Sequence, residues 1–247
     1  MKKNIPSIIL ILILLVAWQG IAMIINAHYI LPSPIQIIFK LWELRKPLFT
    51  VHLPATMVIT CIGLIISIVF GLTLAIIMDL NEKIENALYP IIIASQTIPT
   101  TAIAPLFVLW FGYSIWSKVL VTILITFFPI TITVYDGFKS TKREMEELLI
   151  TYGGTKKDIF MKLKIPTALP YFFSAIKMAI PLSIIGAAIA EWLGAQSGLG
   201  YFSKRMMTQL DGAGVFAPIV LLSIAAMILV GIVSILERKI VTWRKEI

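Results

Sequence analysis

The sequence has few charged and few reactive side chains. Asp, Glu, Lys and Arg make up 14% of its 247 residues, whereas soluble domains carry about a quarter. There is one cysteine, Cys61, which can form no disulfide within the chain. No glycine is followed directly by lysine, so the phosphate-binding loop G-x-x-x-x-G-K-S/T is absent. These shortages argue against a soluble domain and against a chain that hydrolyses ATP by itself.

Histidine is equally scarce, which limits the chemistry available within a membrane. The two histidines, His28 and His52, both fall in the connection that follows the first apolar stretch. No His-Glu-x-x-His sequence and no paired acids occur within an apolar stretch, so the ligands and nucleophiles of an intramembrane enzyme are missing. The sequence therefore predicts no enzyme, no metal site and no bound cofactor.

What the sequence has instead is a series of long apolar stretches. Apolar residues make up 59% of the chain, and the mean hydropathy is +0.95. A helix needs about 20 such residues to cross a membrane, and open strands would leave backbone groups unpaired in lipid. We therefore predict an all-α membrane protein of six transmembrane helices, the fifth of which extends back to Tyr171. The charge-free stretches are residues 5–25, 53–78, 86–117, 119–135, 178–190 and 212–236.

The first apolar stretch follows Lys2 and Lys3, a pattern that fits a cleavable signal peptide as well as a membrane span. Its run of about 20 apolar residues is longer than an ordinary signal sequence, and no convincing small-x-small cleavage site follows it. We therefore expect the first span to be retained, and residues 1–247 to form a single membrane domain.

Positive charge is distributed unevenly between the connections. Fourteen Lys and Arg residues fall on the side that holds both termini and residues 136–170, and six fall on the other side. Because cytoplasmic connections carry the excess of positive charge, both termini and residues 136–170 are predicted to be cytoplasmic. The net charge of +8 mostly reflects this bias, so no nucleic-acid partner is needed to explain it.

Residues 141–166 form a charged segment between the fourth and fifth spans. The residues at 141–144 have capping-box spacing, which predicts a helix that begins at about Lys142. Residues 155–158 offer a second cap, and the helix that follows is expected to end at Pro166. The segment is therefore predicted to be two short helices joined by a turn.

The first of these short helices has one apolar face and ends at a glycine pair, Gly153-Gly154. Helices of this length are marginal alone in water, so the apolar face needs a partner. Lipid, the ends of the protein's own spans and another protein all fit, and the spacing does not choose among them. The face consists of Met145, Leu148, Leu149 and Tyr152.

Polar uncharged side chains interrupt the third apolar stretch. They flank Pro99 over residues 95–101, where freed carbonyls and hydroxyls are able to face a cavity rather than lipid. A proline-kinked helix whose hydroxyls bond their own backbone fits equally well. Because no Lys or Arg lies there, tight binding of a small anion within the membrane is not expected. The candidates for the substrate path are Gln96, Thr97, Thr100 and Thr101.

Glu191, near the outer end of the fifth span, is a further candidate for the substrate path or a gate. A snorkelling or helix-pairing acid fits the same position, and the sequence leaves both roles open. Lys177 in the same span is expected to snorkel to the cytoplasmic surface. A secondary carrier or a channel without an ATPase also fits a chain of membrane spans, although ion-coupled carriers usually hold charged groups at mid-membrane.

Several motifs give the chain a resemblance to a known family. Glu147-Leu148-Leu149, Gly153, Leu163 and Ile165-Pro166 have the spacing of that family's cytoplasmic motif, with leucines in place of two alanines. The sequence resembles the permease subunit of a binding-protein-dependent ABC importer, in the branch for nitrate, sulfonates, taurine and thiamine-precursor pyrimidines. Further stretches that agree are LPSP at 31–34, PLFVLWFG at 105–112, FFP at 127–129, YDGFKS at 135–140, and AEWLG with SGLGY across 190–201.

The resemblance implies that residues 141–166 contain a coupling helix, which sits in a socket on a cytoplasmic ATPase. The apolar face would fill the socket, Glu147 would pair with the ATPase or brace the turn, and Gly153 would allow close approach of the backbones. Pro166 would stiffen the join to the fifth span. The implied coupling residues are Met145, Glu147, Leu148, Leu149, Tyr152, Gly153, Gly154 and Pro166.

The resemblance also implies an assembly in a bacterial plasma or inner membrane. A second copy of the permease, as a homodimer, would stand beside the first. Two cytoplasmic ATPase subunits would use the ATP, and an external solute-binding protein would select the solute for import.

Overall fold

A computed structural model describes residues 5–27 and 29–243, and every regular element in these ranges is a helix. The predicted all-helical architecture is therefore confirmed. The helices are α1 (Ile5–Ile25), α2 (Pro34–Glu43), α3 (Arg45–Leu80), α4 (Glu82–Ser95), α5 (Thr100–Phe111), α6 (Ile115–Lys139), α7 (Arg143–Thr151), α8 (Lys156–Gly194), α9 (Leu199–Thr208) and α10 (Gly212–Ile240).

Five of these helices, α1, α3, α6, α8 and α10, are long and apolar enough to cross a membrane. The third apolar stretch was predicted as one span, but it forms two helices, α4 and α5, that meet at an angle of 95°. The break has a local cause, because Pro99 has no N–H to donate and precedes the first residue of α5. Counted as one broken span, this pair brings the number of spans to the predicted six.

The centre of the bundle is α6, which packs between α3 and α8. Small residues of α3 allow its backbone to approach α6 closely: a Cβ on Gly63 would lie 2.6 Å from Thr122 Cγ2. One turn further on, Ser67 Oγ lies 2.5 Å from Thr126 Oγ1, and both side chains are buried. Since lipid is as apolar as leucine, helices in membranes associate through such close packing and through interhelical hydrogen bonds.

The connection at residues 26–52 was expected to be a loop, but most of it is helical. Ser33 accepts a hydrogen bond from the Gln36 N–H, and the Gln36 side chain accepts one from the Ser33 N–H, which starts α2 with a complete capping box. Lys40 of α2 lies 3.1 Å from the Asp211 carboxylate, and this hydrogen bond raises the pKa of the Lys40 ammonium above its ordinary value. His28 lies outside the described residues.

Two prolines are each preceded by a π-helical turn. One turn, Leu48–His52, ends two residues before Pro54. The other, Phe160–Lys164, ends two residues before Pro166. A wider turn accommodates the proline ring and its missing N–H without ending the helix. The expectation that Pro166 ends a short helix is therefore wrong, because α8 continues through this residue to Gly194.

The helix α1 lies at the edge of the bundle. Only 6% of its most apolar 18-residue stretch is buried within the chain. One of its contacts joins the ring of Trp18 to the ring of Phe216 on α10, with 5.8 Å between the ring centroids. A helix with so little packing within its own chain needs lipid or a further protein around it.

Candidate functional site

The end of the molecule where α3 and α6 finish and α4 and α8 begin, which we call the coupling face, carries the segment 141–166. Its first helix, α7, begins within one residue of the predicted start. The predicted capping box does not form: Lys142 is the N-cap, and the buried Thr141 hydroxyl has no hydrogen-bond partner within the described residues. Glu144 and Glu146 in the first turn complement the helix dipole instead.

The predicted apolar face of α7 is largely exposed. Leu148 is 49% exposed and Tyr152 is 81% exposed, and Met145 is exposed beside them. Leu149 differs from the other three because it is half-buried and packs on the glycine turn. Ile150, which the sequence pattern did not include, is exposed as well. The helix therefore presents apolar side chains that the described part of the chain does not cover.

The turn after α7 requires glycine at both positions of the pair. Gly153 has a φ of +81°, which side chains with a Cβ disfavour. The Gly154 N–H donates to the Leu149 carbonyl at 2.9 Å, and a Cβ on Gly154 would lie 2.7 Å from that oxygen. The predicted second cap is present, because Thr155 and Asp158 accept hydrogen bonds from each other's N–H groups at the start of α8.

Glu147 does not reach the glycine turn. Its carboxylate lies 2.9 Å from Arg143 Nε on the same helix, and both side chains are exposed. An exposed pair of this kind contributes at most about 1 kcal/mol to stability. The pairing of Glu147 with an ATPase stays a prediction.

The end of α8 opposite the coupling face carries a second candidate site, around Glu191. The Glu191 side chain is 1% exposed, and its carboxylate accepts hydrogen bonds from the Thr56 hydroxyl and the Gly200 N–H, each at 2.7 Å. Gly200 lies in the first turn of α9, where unpaired N–H groups favour an anion. Thr56 in turn accepts a hydrogen bond from the Leu199 N–H at 2.8 Å. Of the two roles left open by the sequence, this geometry favours the helix-pairing acid.

His52 belongs to the same cluster. Its Nδ1 accepts a hydrogen bond from the Gly198 N–H at 3.2 Å, and its ring packs against Phe202 at 4.8 Å between centroids. The histidine, Thr56 and Glu191 thereby attach α9 to α3 and α8. The two closely spaced glycines of the SGLGY stretch are the one local sign of this attachment in the sequence.

Gly198 should be far less tolerant of alanine than Gly112. Both have backbone angles in a region that is essentially restricted to glycine, with a φ of +117° at Gly198 and +64° at Gly112. A Cβ on Gly198 would overlap the Glu191 carboxylate, whereas one on Gly112 meets nothing within 4 Å. We expect Gly112→Ala to cost the backbone strain alone, about 1–3 kcal/mol, and Gly198→Ala to lower the melting temperature in detergent clearly further. Equal shifts would contradict this packing of Glu191.

The predicted substrate-path residues do not all come together. Gln96 and Thr97 lie exposed at the break between α4 and α5, with Thr101 exposed and Thr100 half-buried in the first turn of α5. The Thr97 hydroxyl donates to the Ala94 carbonyl at 2.7 Å, so part of the polar character is satisfied locally. Glu191 is not part of this exposed set.

A cavity of about 760 Å³ opens at the end of the molecule opposite the coupling face. It is lined by α3 at Pro54 and Val58, by Tyr113 and Lys118, and by residues 194–197. The Lys118 ammonium is buried and donates to the carbonyls of Tyr113 and Ser114, each at 3.0 Å. Two of its three N–H donors are therefore taken by backbone oxygens.

Lys177 has a partner on another span. Its ammonium lies 2.7 Å from the carboxylate of Glu237, three residues before the end of α10, and both side chains are partly buried. Its snorkelling stays a prediction. The pairing joins positions 60 residues apart, so no local pattern in the sequence could have indicated it.

The structure is an all-helical bundle with an exposed helix and glycine turn on one face and a polar break within an apolar span. These features are typical of the membrane subunit of a transporter. Residues 63–242 match the family described as the binding-protein-dependent transport system inner membrane component. The chain belongs to this family. It is the transmembrane permease subunit of an ABC importer and not an enzyme, and its family works with a separate ATPase and a substrate-binding protein.

Individual relatives agree with this assignment. The chain is 54% identical over 235 residues to the formylaminopyrimidine transport permease protein ThiX of Halalkalibacterium halodurans, covering 95% of this chain and 94% of the relative. It is 34% identical to the riboflavin transport system permease protein RibX of Chloroflexus aurantiacus, covering 94% and 88%. The resemblance inferred from the motifs, to the branch that includes pyrimidine permeases, is confirmed.

A solved structure shares the fold. The crystal structure of an amino acid ABC transporter with histidines superposes with a TM-score of 0.67, covering 81% of this chain and 97% of that one at 16% identity. The chain is thus a multi-pass membrane protein of the inner-membrane component family.

Proposed function

We propose that two copies of this chain form the membrane part of an importer for a small uncharged pyrimidine, with residues 141–166 receiving the motion of the ATPase. The observation that carries the coupling role is the exposed apolar face of α7 beside Gly153. Leu148 and Tyr152 would lose unfavourable contact with water when a socket covers them. The turn at Gly153 allows the two backbones to approach each other closely.

The proposal for the solute rests on the chemistry of the chain and on its relatives. Its 54% identical relative is named for a formylaminopyrimidine, and its 34% identical relative for riboflavin, which also contains nitrogen heterocycles. The polar break at residues 95–101 carries amide and hydroxyl groups and no Lys or Arg. These groups suit hydrogen bonding to a neutral ring better than binding of a sulfonate or nitrate.

The substrate path is proposed to run along the surface between the two copies. Gln96, Thr97 and Thr101 are exposed, although they lie in the middle of an apolar span. Polar groups that faced lipid at this depth would be costly, so a water-lined space between protomers explains their exposure. The large cavity on the opposite face would receive the solute from the binding protein.

Both chain termini and residues 141–166 are proposed to lie in the cytoplasm, within a single membrane domain that spans residues 1–247. The excess of Lys and Arg on that side supports this orientation. It places α7 where a cytoplasmic ATPase can reach it.

Reconstituted vesicles test the proposal. The permease, its ATPase and its binding protein are expected to accumulate radiolabelled formylaminopyrimidine when ATP is enclosed on the ATPase side. Omission of either partner, or of ATP, should reduce uptake to the background of empty vesicles. The native mass of the purified complex checks that it contains two permease copies.

Taurine is a suitable comparison solute because it is small and carries a sulfonate. An excess of unlabelled taurine should leave pyrimidine uptake unchanged. Uptake of labelled taurine in place of the pyrimidine would contradict the proposed solute, and a complex with one permease copy would contradict the proposed dimer.

A further inference from the structure

A buried ion pair joins two spans at the coupling face. Lys164, the last residue of the π-helical turn in α8, places its ammonium 2.8 Å and 3.0 Å from the two carboxylate oxygens of Asp79. The Asp79 side chain is 1% exposed and the Lys164 side chain 19%. Asp79 is the second-last residue of α3. Among the described residues this is the only ion pair between α3 and α8.

The same ammonium also faces α7. Glu146 Oε1 lies 4.0 Å from Lys164 Nζ, so one positive charge stands between a carboxylate of a membrane span and a carboxylate of the coupling helix. A neighbouring pair, Lys139 and Glu85 at 2.8 Å, ties α6 to α4 beside it. Lys164 of α8 therefore interacts electrostatically with both α3 and α7.

The contacts of α8 with α6 at this face are of another kind. The rings of Phe138 and Phe160 lie 5.6 Å apart, and a Cβ on Gly137 would lie 2.8 Å from Tyr171 Cβ. Contacts packed this closely change in discrete steps rather than by gradual deformation. We therefore expect α6 and α8 to move together. The end of α3 has no comparable ring contact with α8 among the described residues; its buried Ala75 and Met78 belong to the same apolar cluster as Ala168 of α8, and the ion pair adds a charged contact.

We propose that Lys164 is a positioning residue that transmits movement of α7 to α3 through Asp79. This inference rests on the proposed coupling role of residues 141–166. When the ATPase displaces α7, Glu146 and Lys164 shift together, and Asp79 carries the end of α3 with them. Without the pair, α3 keeps only its apolar packing on α6 and α8 and loses its charged link to α7, so it follows the movement less completely and ATP is hydrolysed while the solute path fails to open fully.

The test measures solute uptake per ATP hydrolysed in vesicles that contain the complete complex of permease, ATPase and binding protein. Asp79→Lys and Lys164→Asp should each lower this ratio by about tenfold or more, within the range of measured coupling between sites. The exchanged double variant Asp79→Lys/Lys164→Asp should recover most of it. A purely structural role would lower uptake and ATP hydrolysis in parallel and leave the ratio unchanged.

Single charge reversals at a buried site can prevent folding, so a second variant is needed. Asp79→Leu/Lys164→Met replaces the buried pair by apolar groups of similar size, which proteins often tolerate. This variant should fold, retain the ATPase and hydrolyse ATP, yet transport with the low ratio. The matched control is Lys177→Met/Glu237→Leu, which removes another partly buried ion pair of α8 away from the coupling face and should keep the unmodified ratio.

Two results would overturn the inference: an unmodified transport ratio in Asp79→Leu/Lys164→Met, or release of the ATPase by that variant while the Lys177→Met/Glu237→Leu control retains it. Failure of the proposed function has a different signature. In that case the unmodified chain itself would not hold the ATPase.

Discussion

Replacing Leu148 with lysine is expected to release the ATPase from the purified complex. Leu148 is half-exposed on α7 in the isolated chain, and the proposed socket would cover the rest of it. Loss of that burial costs about 2 kcal/mol, and the cost of removing a charge from water adds to it. The affinity of the two subunits should therefore fall by roughly thirty-fold or more, as measured by retention of the ATPase on an affinity-tagged permease.

Thr151→Lys is the control for this substitution. Thr151 is exposed on the same helix but outside the apolar face, and a lysine there can pair with Glu147 four residues earlier. Both variants add one positive charge to α7, so a general effect of charge would weaken both complexes equally. Retention of the ATPase by Leu148→Lys, or equal loss in both variants, would contradict the coupling role of the apolar face.

Replacing Glu191 with alanine should destabilise the end of the molecule that carries α9. The substitution leaves the Thr56 hydroxyl and the Gly200 N–H buried without their partner. Each buried donor left without an acceptor costs about 1–3 kcal/mol, so the loss of both bonds lowers the melting temperature of a chain of this size by roughly 10 °C. Tryptophan fluorescence during heating in detergent measures the shift, and limited proteolysis around residues 195–211 locates it.

Two further variants separate this structural role from contact with the solute. Glu191→Gln keeps one oxygen acceptor and should melt between the unmodified protein and Glu191→Ala. Glu43→Ala removes an exposed acid from a surface pair with Lys40 and should leave the melting temperature nearly unchanged. If Glu191→Ala raised the KM for solute while the melting temperature stayed the same, Glu191 would belong to the substrate path instead.

The membrane spans could be predicted from the sequence because their signal is continuous. Runs of apolar residues indicate helices in lipid whatever their neighbours are, and the ends of the first and sixth predicted spans lie close to those of α1 and α10, whereas α3 begins eight residues before the second predicted span. The effects of proline were harder to predict. Pro99 lies at the break in a span, whereas Pro166 lies within a continuous helix that widens into a π-helical turn just before it.

The candidate sites were predictable only where local spacing defines them. The apolar face of α7 and the Gly153-Gly154 turn follow from helical periodicity and from the conformations that glycine allows, and the structure places them on one exposed surface. The partners of Glu191 and the pair of Asp79 with Lys164 join residues up to 135 positions apart. Such contacts depend on how the spans pack, which a single sequence does not specify.

The helix α8 is much longer than a membrane span requires. It runs through 39 residues, about 58 Å at 1.5 Å per residue, which is nearly twice the thickness of the hydrocarbon layer. One continuous helix, with a π-helical turn near its start, therefore leads from the glycine turn of the coupling face to Glu191 near its opposite end. Tilting it by about 5° about one end would displace the other end by about 5 Å, so a small rotation at the coupling face would become a displacement of several ångströms beside the large cavity at the opposite end.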